Sequence, residues 1–334
     1  MSKRKINQQQ AKRIQALQTR KRNHVQSSAT NLDDKLLGPA QAGLLIARYG
    51  KQLEVEAENG ELYQCHSRQN LFDLVVGDKV VWQAGPNYTG VIVACTPRQT
   101  LLARASYRQT LKPIAANVEQ ILLVIAPEPI PTTLLLDSYL VAAEYTGIPL
   151  TIAVNKADLL EQQPPELLKL LADYRALGYR IISTSTLTDA GLAELKTILA
   201  NRTSVLVGQS GVGKSSLIAK LLPKTTVAIG KLAGNTKLGA HTTSAARLYH
   251  LPSGGSIIDS PGIREFALGP LNLEQIVSGF IEFRPFLGEC RFSNCKHLQE
   301  PGCALQMAVS NRQISSQRLL NYQRLVAEQQ TTKY

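Results

Sequence analysis

GQSGVGKSS, residues 208–216, is a complete G-x-x-x-x-G-K-[ST] phosphate-binding loop. The apolar run TSVLV (203–207) before it reads as a strand and SSLIAKLL (215–222) within and after it as a helix, which is the setting such a loop needs. Gly208 and Gly213 let the backbone bend so that successive N–H groups converge at a helix N-terminus, where partial positive charge favours anions. The stretch Gly208, Gln209, Ser210, Gly211, Val212, Gly213, Lys214, Ser215 and Ser216 is therefore expected to hold a nucleotide's phosphates. Lys214 would neutralise the β- and γ-phosphates, and the Ser215 hydroxyl would ligate Mg²⁺.

Working outward, apolar runs (VEQILLVIA, 118–126; PLTIAVN, 149–155; YRIIST, 179–184; GSIID, 255–259) alternate with helical stretches such as LLLDSYLVAAEYTG (134–147) and ELLKLLADYRALG (166–178). Continuously apolar strands separated by helices indicate a mostly parallel sheet covered on both faces. At the C-terminal end of PLTIAV, where α/β sheets bind ligands, stands Asn155-Lys156-Ala157-Asp158. A carboxylate there can accept from guanine N1–H and the N2 amine, whereas adenine offers neither donor and would leave Asp158 desolvated and unpaired. Asn155 would meet the acceptor edge of the base. This disfavours an ATP-dependent kinase.

Downstream of the loop, Asp259-Ser260-Pro261-Gly262 ends GSIID; the carboxylate would hold Mg²⁺ through water and the Gly262 N–H would sense the γ-phosphate. Between the two lies GNTKLGAHTTSAARL (234–248), polar and glycine-containing, in which Thr242 or Thr243 is the candidate to complete the Mg²⁺ shell. Ile263 stands where many GTPases place a glutamine that orients the attacking water, so intrinsic hydrolysis should be slow. His241 is the polar candidate for that task, a loop histidine without one being the alternative. Ser185 and Thr186, after the strand YRIIS, are candidates to brace the base, again with an ordinary loop pair as the alternative.

The order of these motifs is rotated. GTPases ordinarily run phosphate loop, switch threonine, D-x-x-G, N-K-x-D; here N-K-x-D comes first. Circular permutation preserves a site when the original termini were neighbours. It also makes the second switch lead directly into whatever follows residue 270.

The flanks add three further units. Residues 36–105 read as five or so short strands with period-two alternation and an Asn59-Gly60 turn, the size of an OB-fold, an SH3-like spacer barrel being the alternative. Of the formal charge of +12, eight Lys and Arg fall in residues 1–24 with no acidic partner, so the remainder carries +4. That arm, within residues 1–35, is expected to be disordered and suits a polyanion, a solubilising tail being the plainer reading. In the helical segment 271–334, Cys290-x₄-Cys295-x-His297-x₅-Cys303 offers four ligands without an open position, which suits a structural Zn²⁺ against reduced core cysteines. A metal clip would stabilise a segment expected to have little core. At 44% apolar and 19% charged, the composition excludes global disorder. No apolar run spans a bilayer and no secretory signal is present, so a cytoplasmic chain without membrane partners is expected.

The motif order, the preceding barrel and the following Cys/His knot closely resemble the ribosome small-subunit-dependent GTPase family RsgA, also called YjeQ. The likeness covers the chain from the barrel onward: KPIAANVEQILLV (112–124), NKADLL (155–160), GQSGVGKSSL (208–217), GAHTT (239–243), DSPGI (259–263) and the C-x₄-C-x-H-x₅-C knot with a helix after it. The resemblance implies a multidomain α/β chain: OB-fold, circularly permuted GTPase domain (106–270) and zinc-binding helical domain (271–334). It also implies a late assembly factor of the small ribosomal subunit whose hydrolysis of GTP to GDP and phosphate is stimulated by that subunit. The motif residues named above would take the family's nucleotide roles, and Cys290, Cys295, His297 and Cys303 its zinc site. STSTLTDAGL (183–192) departs from the family's Ala-Lys-Thr-Gly character, which leaves Ser185 and Thr186 resting on loop position alone. A monomer is expected. The reading carried forward is a switch that docks on the subunit and its rRNA with GTP and leaves on hydrolysis; its rival is a GTP-gated rRNA-binding factor with incidental turnover.

Overall fold

The computed structural model describes residues 36–68, 71, 73–105, 111–162, 165–222, 246–260 and 271–331. β1 (Ala40–Tyr49), β2 (Gln52–Ala57), β3 (Leu62–Ser67), β4 (Lys79–Ala84) and β5 (Thr89–Cys95) close into a barrel in the order β1-β2-β3-β5-β4-β1. All neighbours are antiparallel except β3 with β5, which is the Greek-key barrel of an OB-fold. Alternate residues such as Leu53, Val55, Val80 and Ile92 point inward around the fully buried Trp82. Its indole nitrogen donates to the Ala42 carbonyl at 3.1 Å. Two glycines make room for the ring: a Cβ at Gly43 would lie 2.5 Å from the indole nitrogen, and one at Gly90 2.8 Å from a ring carbon.

A hairpin of β6 (Leu101–Ala105) and β7 (Leu111–Ala116) follows. The central sheet then grows in two halves from its middle. β8 (Gln120–Ile125), β9 (Leu150–Val154) and β10 (Arg180–Ser183) step outward to one side; β11 (Thr203–Val207), β13 (Ser256–Asp259) and β12 (Ala246–His250) fill the other in the spatial order β11-β13-β12. Five strands are parallel, and β12 runs antiparallel to β13. β8 and β11, each the first strand of its half, are neighbours. Exchanging the halves in sequence would leave every ladder intact, which is how a rotated motif order is accommodated.

Helices α1 (Thr133–Thr146) and α2 (Pro165–Ala176) cover one face, α3 (Leu192–Leu199) and α4 (Lys214–Leu221) the other. The division is visible along β8: Ile121, Leu123 and Ile125 pack with Leu136, Leu140 and Leu171, while Leu122 and Val124 pack with Leu195 and Leu217. A strand buried on both sides must be apolar throughout. Thr132 caps α1 by accepting from the Leu135 N–H at 3.2 Å.

The C-terminal segment forms α5 (Leu273–Ser278), a 3₁₀ turn at Ile281–Phe286, α6 (Ala304–Ser310) and α7 (Ser316–Thr331). α5 begins with a capping box in which Asn272 and Gln275 exchange hydrogen bonds of 2.8 Å. Phe280 and Phe283 stack at 4.8 Å, and Tyr322 meets both edge-on. These rings belong to the same core as Leu136, Leu140 and Val141 of α1. The segment expected to have little core instead shares the core of the sheet. A buried polar cluster completes the seam: Asp137 of α1, with no exposure, accepts from Tyr174 of α2 and from Arg318 of α7, and from Asn321 of α7 at 2.6 Å. Arg318 also forks onto Glu282 and lies 4.6 Å from the Phe280 ring centre.

Candidate functional site

The phosphate loop leaves β11 beside β8 and enters α4. Gly208 has φ +130°, and a Cβ there would lie 2.0 Å from the Val124 carbonyl, so no larger residue fits. Gly213 has φ +94°, and a Cβ there would lie 2.3 Å from Asn155 Nδ2. That close approach is the centre of the site. Asn155, at the end of β9 and 1% exposed, donates from Nδ2 to the Val212 carbonyl at 2.9 Å and accepts from Thr184 Oγ1 at 3.3 Å. The two motifs, separated by more than fifty residues and reversed in order, are thus directly bonded.

Lys214 is drawn beneath the loop, its ammonium donating to the Gly208 carbonyl at 2.6 Å and to that of Gln209. Ser210, Gly211 and Ser216 are exposed and Ser215 is half-buried at the first turn of α4. On the base side, Lys156 donates to the Glu128 carbonyl at 2.7 Å and the Ala157 N–H to the Thr184 carbonyl at 3.0 Å. Asp158 is exposed, and the buried Ser185 hydroxyl donates to its Oδ1. The same hydroxyl accepts from the Leu187 and Thr188 N–H groups, both at 3.2 Å. Ser185 therefore fixes the carboxylate, and Thr186 stands half-buried beside it. Asp259 ends β13 on the other side of the loop strand, opposite Arg247 in the β12–β13 ladder. His241, Thr242, Thr243, Gly262 and Ile263 lie outside the described residues, as does the basic arm.

Two members were missed in the sequence. Thr184, fully buried, orients Asn155 through its oxygen; a threonine closing an apolar strand beside the base motif was a usable signal. Tyr139 of α1 meets the Gly208 backbone: burial pushes its hydroxyl up, and the Gly208 hydrogen bond lowers it in part. Nothing in an apolar helix marks that residue.

Some distance along the chain, Cys290, Cys295, His297 and Cys303 place their ligand atoms within 4.8 Å of one another and could hold a metal ion. The three sulfurs lie 3.5, 3.7 and 3.5 Å from His297 Nδ1. A tetrahedral ion with bonds of about 2.3 Å to sulfur and about 2.05 Å to nitrogen requires such edges at about 3.6 Å. As a thiol Cys295 is unfavourable to ionise: burial, then hydrogen bonds with Cys290 and Cys303, push it up to about 12. Burial lowers His297, keeping its imidazole neutral as a ligand must be. The surrounding loop is tied down by Glu300, which accepts from the Lys296, Leu298 and Gln299 N–H groups at 2.9–3.1 Å. From α7, Tyr322 donates to the Lys296 carbonyl at 2.8 Å and Gln323 to that of Leu298 at 2.9 Å.

A sheet rotated about its centre, with a phosphate loop bonded to a guanine-type motif that precedes it in sequence, defines a circularly permuted P-loop GTPase. A family model described as RsgA GTPase matches residues 95–269. The small ribosomal subunit biogenesis GTPase RsgA of Chromohalobacter salexigens is 50% identical over 334 residues, covering 98% of each chain. The crystal structure of YjeQ from Thermotoga maritima superposes with a TM-score of 0.69 at 30% identity, over 87% of this chain and 99% of that one. That of YloQ, described as a circularly permuted GTPase, gives 0.67 at 28% identity over 89% and 97%. The chain belongs to the RsgA GTPase family. Among the described residues no helix is long and apolar enough to cross a membrane.

Proposed function

We propose that this chain hydrolyses GTP to GDP and phosphate as a factor in biogenesis of the small ribosomal subunit. The observation that carries the reading is the bond from Asn155 to Val212, which joins base and phosphate motifs into one pocket edge. Asp158, held by Ser185, accepts from guanine N1–H and the N2 amine, while the second amide hydrogen of Asn155 faces the base's acceptor edge. Lys156, Ala157 and Thr186 flank the base. The N–H groups of Gly208 to Ser216 surround the phosphates, and Lys214 exchanges the Gly208 and Gln209 carbonyls for β- and γ-phosphate oxygens. Ser215, Asp259 and Thr242 or Thr243 would hold Mg²⁺, whose charge would offset that developing on the transferred phosphoryl group. Water attacks the γ-phosphorus as the bond to the GDP oxygen breaks. With Ile263 at the glutamine position, His241 orients that water.

The arm (1–35), barrel (36–105) and C-terminal domain (271–334) are assigned to docking on the subunit and its rRNA around the GTPase domain (106–270). The fourfold cluster is assigned to one structural Zn²⁺. The chain works in the cytoplasm as a monomer, and hydrolysis releases it. Turnover of GTP and ATP, with and without isolated small subunits, tests this. Strong acceleration of GTP turnover alone is expected; GTP-dependent binding without acceleration would favour the gated RNA-binding factor.

A further inference from the structure

β1 hands one of its edges from the barrel to the GTPase sheet. Ala40–Leu44 pair with β4, whereas Ala47 and Arg48 pair with Arg247 and Ala246 of β12. The ladder between the two units is only these two positions long, and side chains reinforce it. Arg247 donates to the Tyr49 hydroxyl at 2.8 Å and lies 3.1 Å from Glu54, so both of its polar side-chain partners belong to the barrel. The Arg247 and Glu54 side chains are 15% and 12% exposed. At the far end of β12, His250 meets Glu56 of β2 at 2.7 Å.

Arg247 is also paired with the strand that ends in Asp259. It stands directly opposite Asp259 in the β12–β13 ladder, and opposed residues of an antiparallel pair share a sheet face. A largely buried ion pair is weak evidence for stability, since well-packed apolar residues of similar volume often serve as well. What such a pair supplies better is register. Here the register set is that of the strand lying between the barrel and the carboxylate that ends β13.

We propose that Arg247 is a positioning residue for GTP hydrolysis: locked by Tyr49 and Glu54, it fixes how the β12–β13 ladder presents Asp259, and through it load on the barrel reaches the magnesium side of the site. This rests on the reading above that Asp259 serves Mg²⁺ and that the subunit docks partly through the barrel. The test uses the full-length chain with Glu54→Gln, Arg247→Lys or Tyr49→Phe, measured for Mg²⁺-dependent binding of a fluorescent non-hydrolysable GTP analogue and for GTP turnover across a Mg²⁺ series, alone and with isolated small subunits. In Glu54→Gln and Arg247→Lys, which remove the anion or the planar guanidinium fork, the Mg²⁺ concentration for half-maximal analogue binding and intrinsic turnover rises roughly fivefold, and the acceleration by subunits falls roughly tenfold with the subunit KM within about twofold. Tyr49→Phe gives a smaller change in the same direction. Should a single variant fail to fold, the Glu54→Gln/Arg247→Met pair removes the buried charges together, and the same two losses are expected of it. An unchanged Mg²⁺ midpoint in folded variants overturns the role of Arg247, whether or not subunits act. Wild-type turnover that subunits do not accelerate, alongside shifted midpoints, overturns the docking reading and leaves the positioning role standing.

Discussion

Gly213→Ala tests the joint between the two nucleotide motifs. The new Cβ would lie 2.3 Å from Asn155 Nδ2, against 3.4 Å or more for an ordinary contact, so something must move by about 1 Å. Asn155 has nowhere to go, being 1% exposed with Thr184 on its oxygen. Yielding would forfeit its bond to Val212 and leave that carbonyl unsatisfied, at ~1–3 kcal/mol. Alanine at φ +94° adds ~1–2 kcal/mol of backbone strain. Opening the loop relieves both, so the total of ~2–5 kcal/mol falls on the nucleotide-competent conformation and not on the whole fold. At ~1.4 kcal/mol per decade, GDP affinity should fall between roughly 30-fold and a few thousandfold. Titration with a fluorescent GDP analogue measures this, and urea unfolding checks that global stability changes little. Adding Asn155→Ala removes the clashing amide and leaves only the ~1–2 kcal/mol of backbone strain, so the double variant should bind roughly 5- to 30-fold worse than Asn155→Ala alone. Affinity of Gly213→Ala within about threefold of wild type, or losses that simply add in the double variant, would refute the steric account.

Other consequences are as direct. Ser185→Ala deprives the Asp158 carboxylate of one hydrogen bond, so GTP KM should rise roughly tenfold; Asp158→Ala should erase most of the preference for GTP over ATP, and a retained preference in competition assays would move base reading elsewhere. Purified chain should carry about one zinc ion by elemental analysis. Chelation should speed hydrogen exchange across 289–304 while sparing GDP binding, because the aromatic cluster of Phe280, Phe283 and Tyr322 lies in the shared core; loss of GDP binding would contradict that. Arg318→Met alone leaves Asp137 and Glu282 without their cation and should cost ~3–5 kcal/mol in urea unfolding, with Asp137→Asn recovering part in the double variant. A single-variant loss below ~1 kcal/mol would show the cluster to be dispensable.

The loops assigned to phosphate, base and metal were legible because each is a short contiguous run whose chemistry is set by neighbouring residues: glycines that turn, a lysine and serine that follow, thiols at ligand spacing. The barrel and sheet were legible from periodicity. What escaped was every contact chosen by tertiary packing. Asn155 reads as a base contact in sequence, yet its partner Val212 emerges only when β9 and the loop after β11 are brought together. Arg247 sits in ARLYH like any strand-edge arginine, and only the pairing of β12 with β1 supplies Tyr49 and Glu54. The core that the C-terminal segment shares with the sheet escaped for the same reason: the apolar faces of α5 and α7 say that they are buried, not against what.

That shared core changes what the permutation does. β13 is an interior strand, so the chain leaves the GTPase sheet beside Asp259 and not at an edge. It then returns, through α5 and α7, to pack on α1, the helix that follows β8. Arg318 pins that body to Asp137 while the barrel is pinned to β12 through Arg247. A conventional order would leave the strand ending in Asp259 to continue into its own helix within the domain. Here the chain after Asp259 leads to the C-terminal unit, and that unit and the barrel each meet the sheet through buried, charged contacts, which break as units instead of deforming gradually. Displacement of either unit by a bound partner should therefore arrive at Asp259 as a discrete step, from the barrel across the ladder and from the C-terminal helices along the chain.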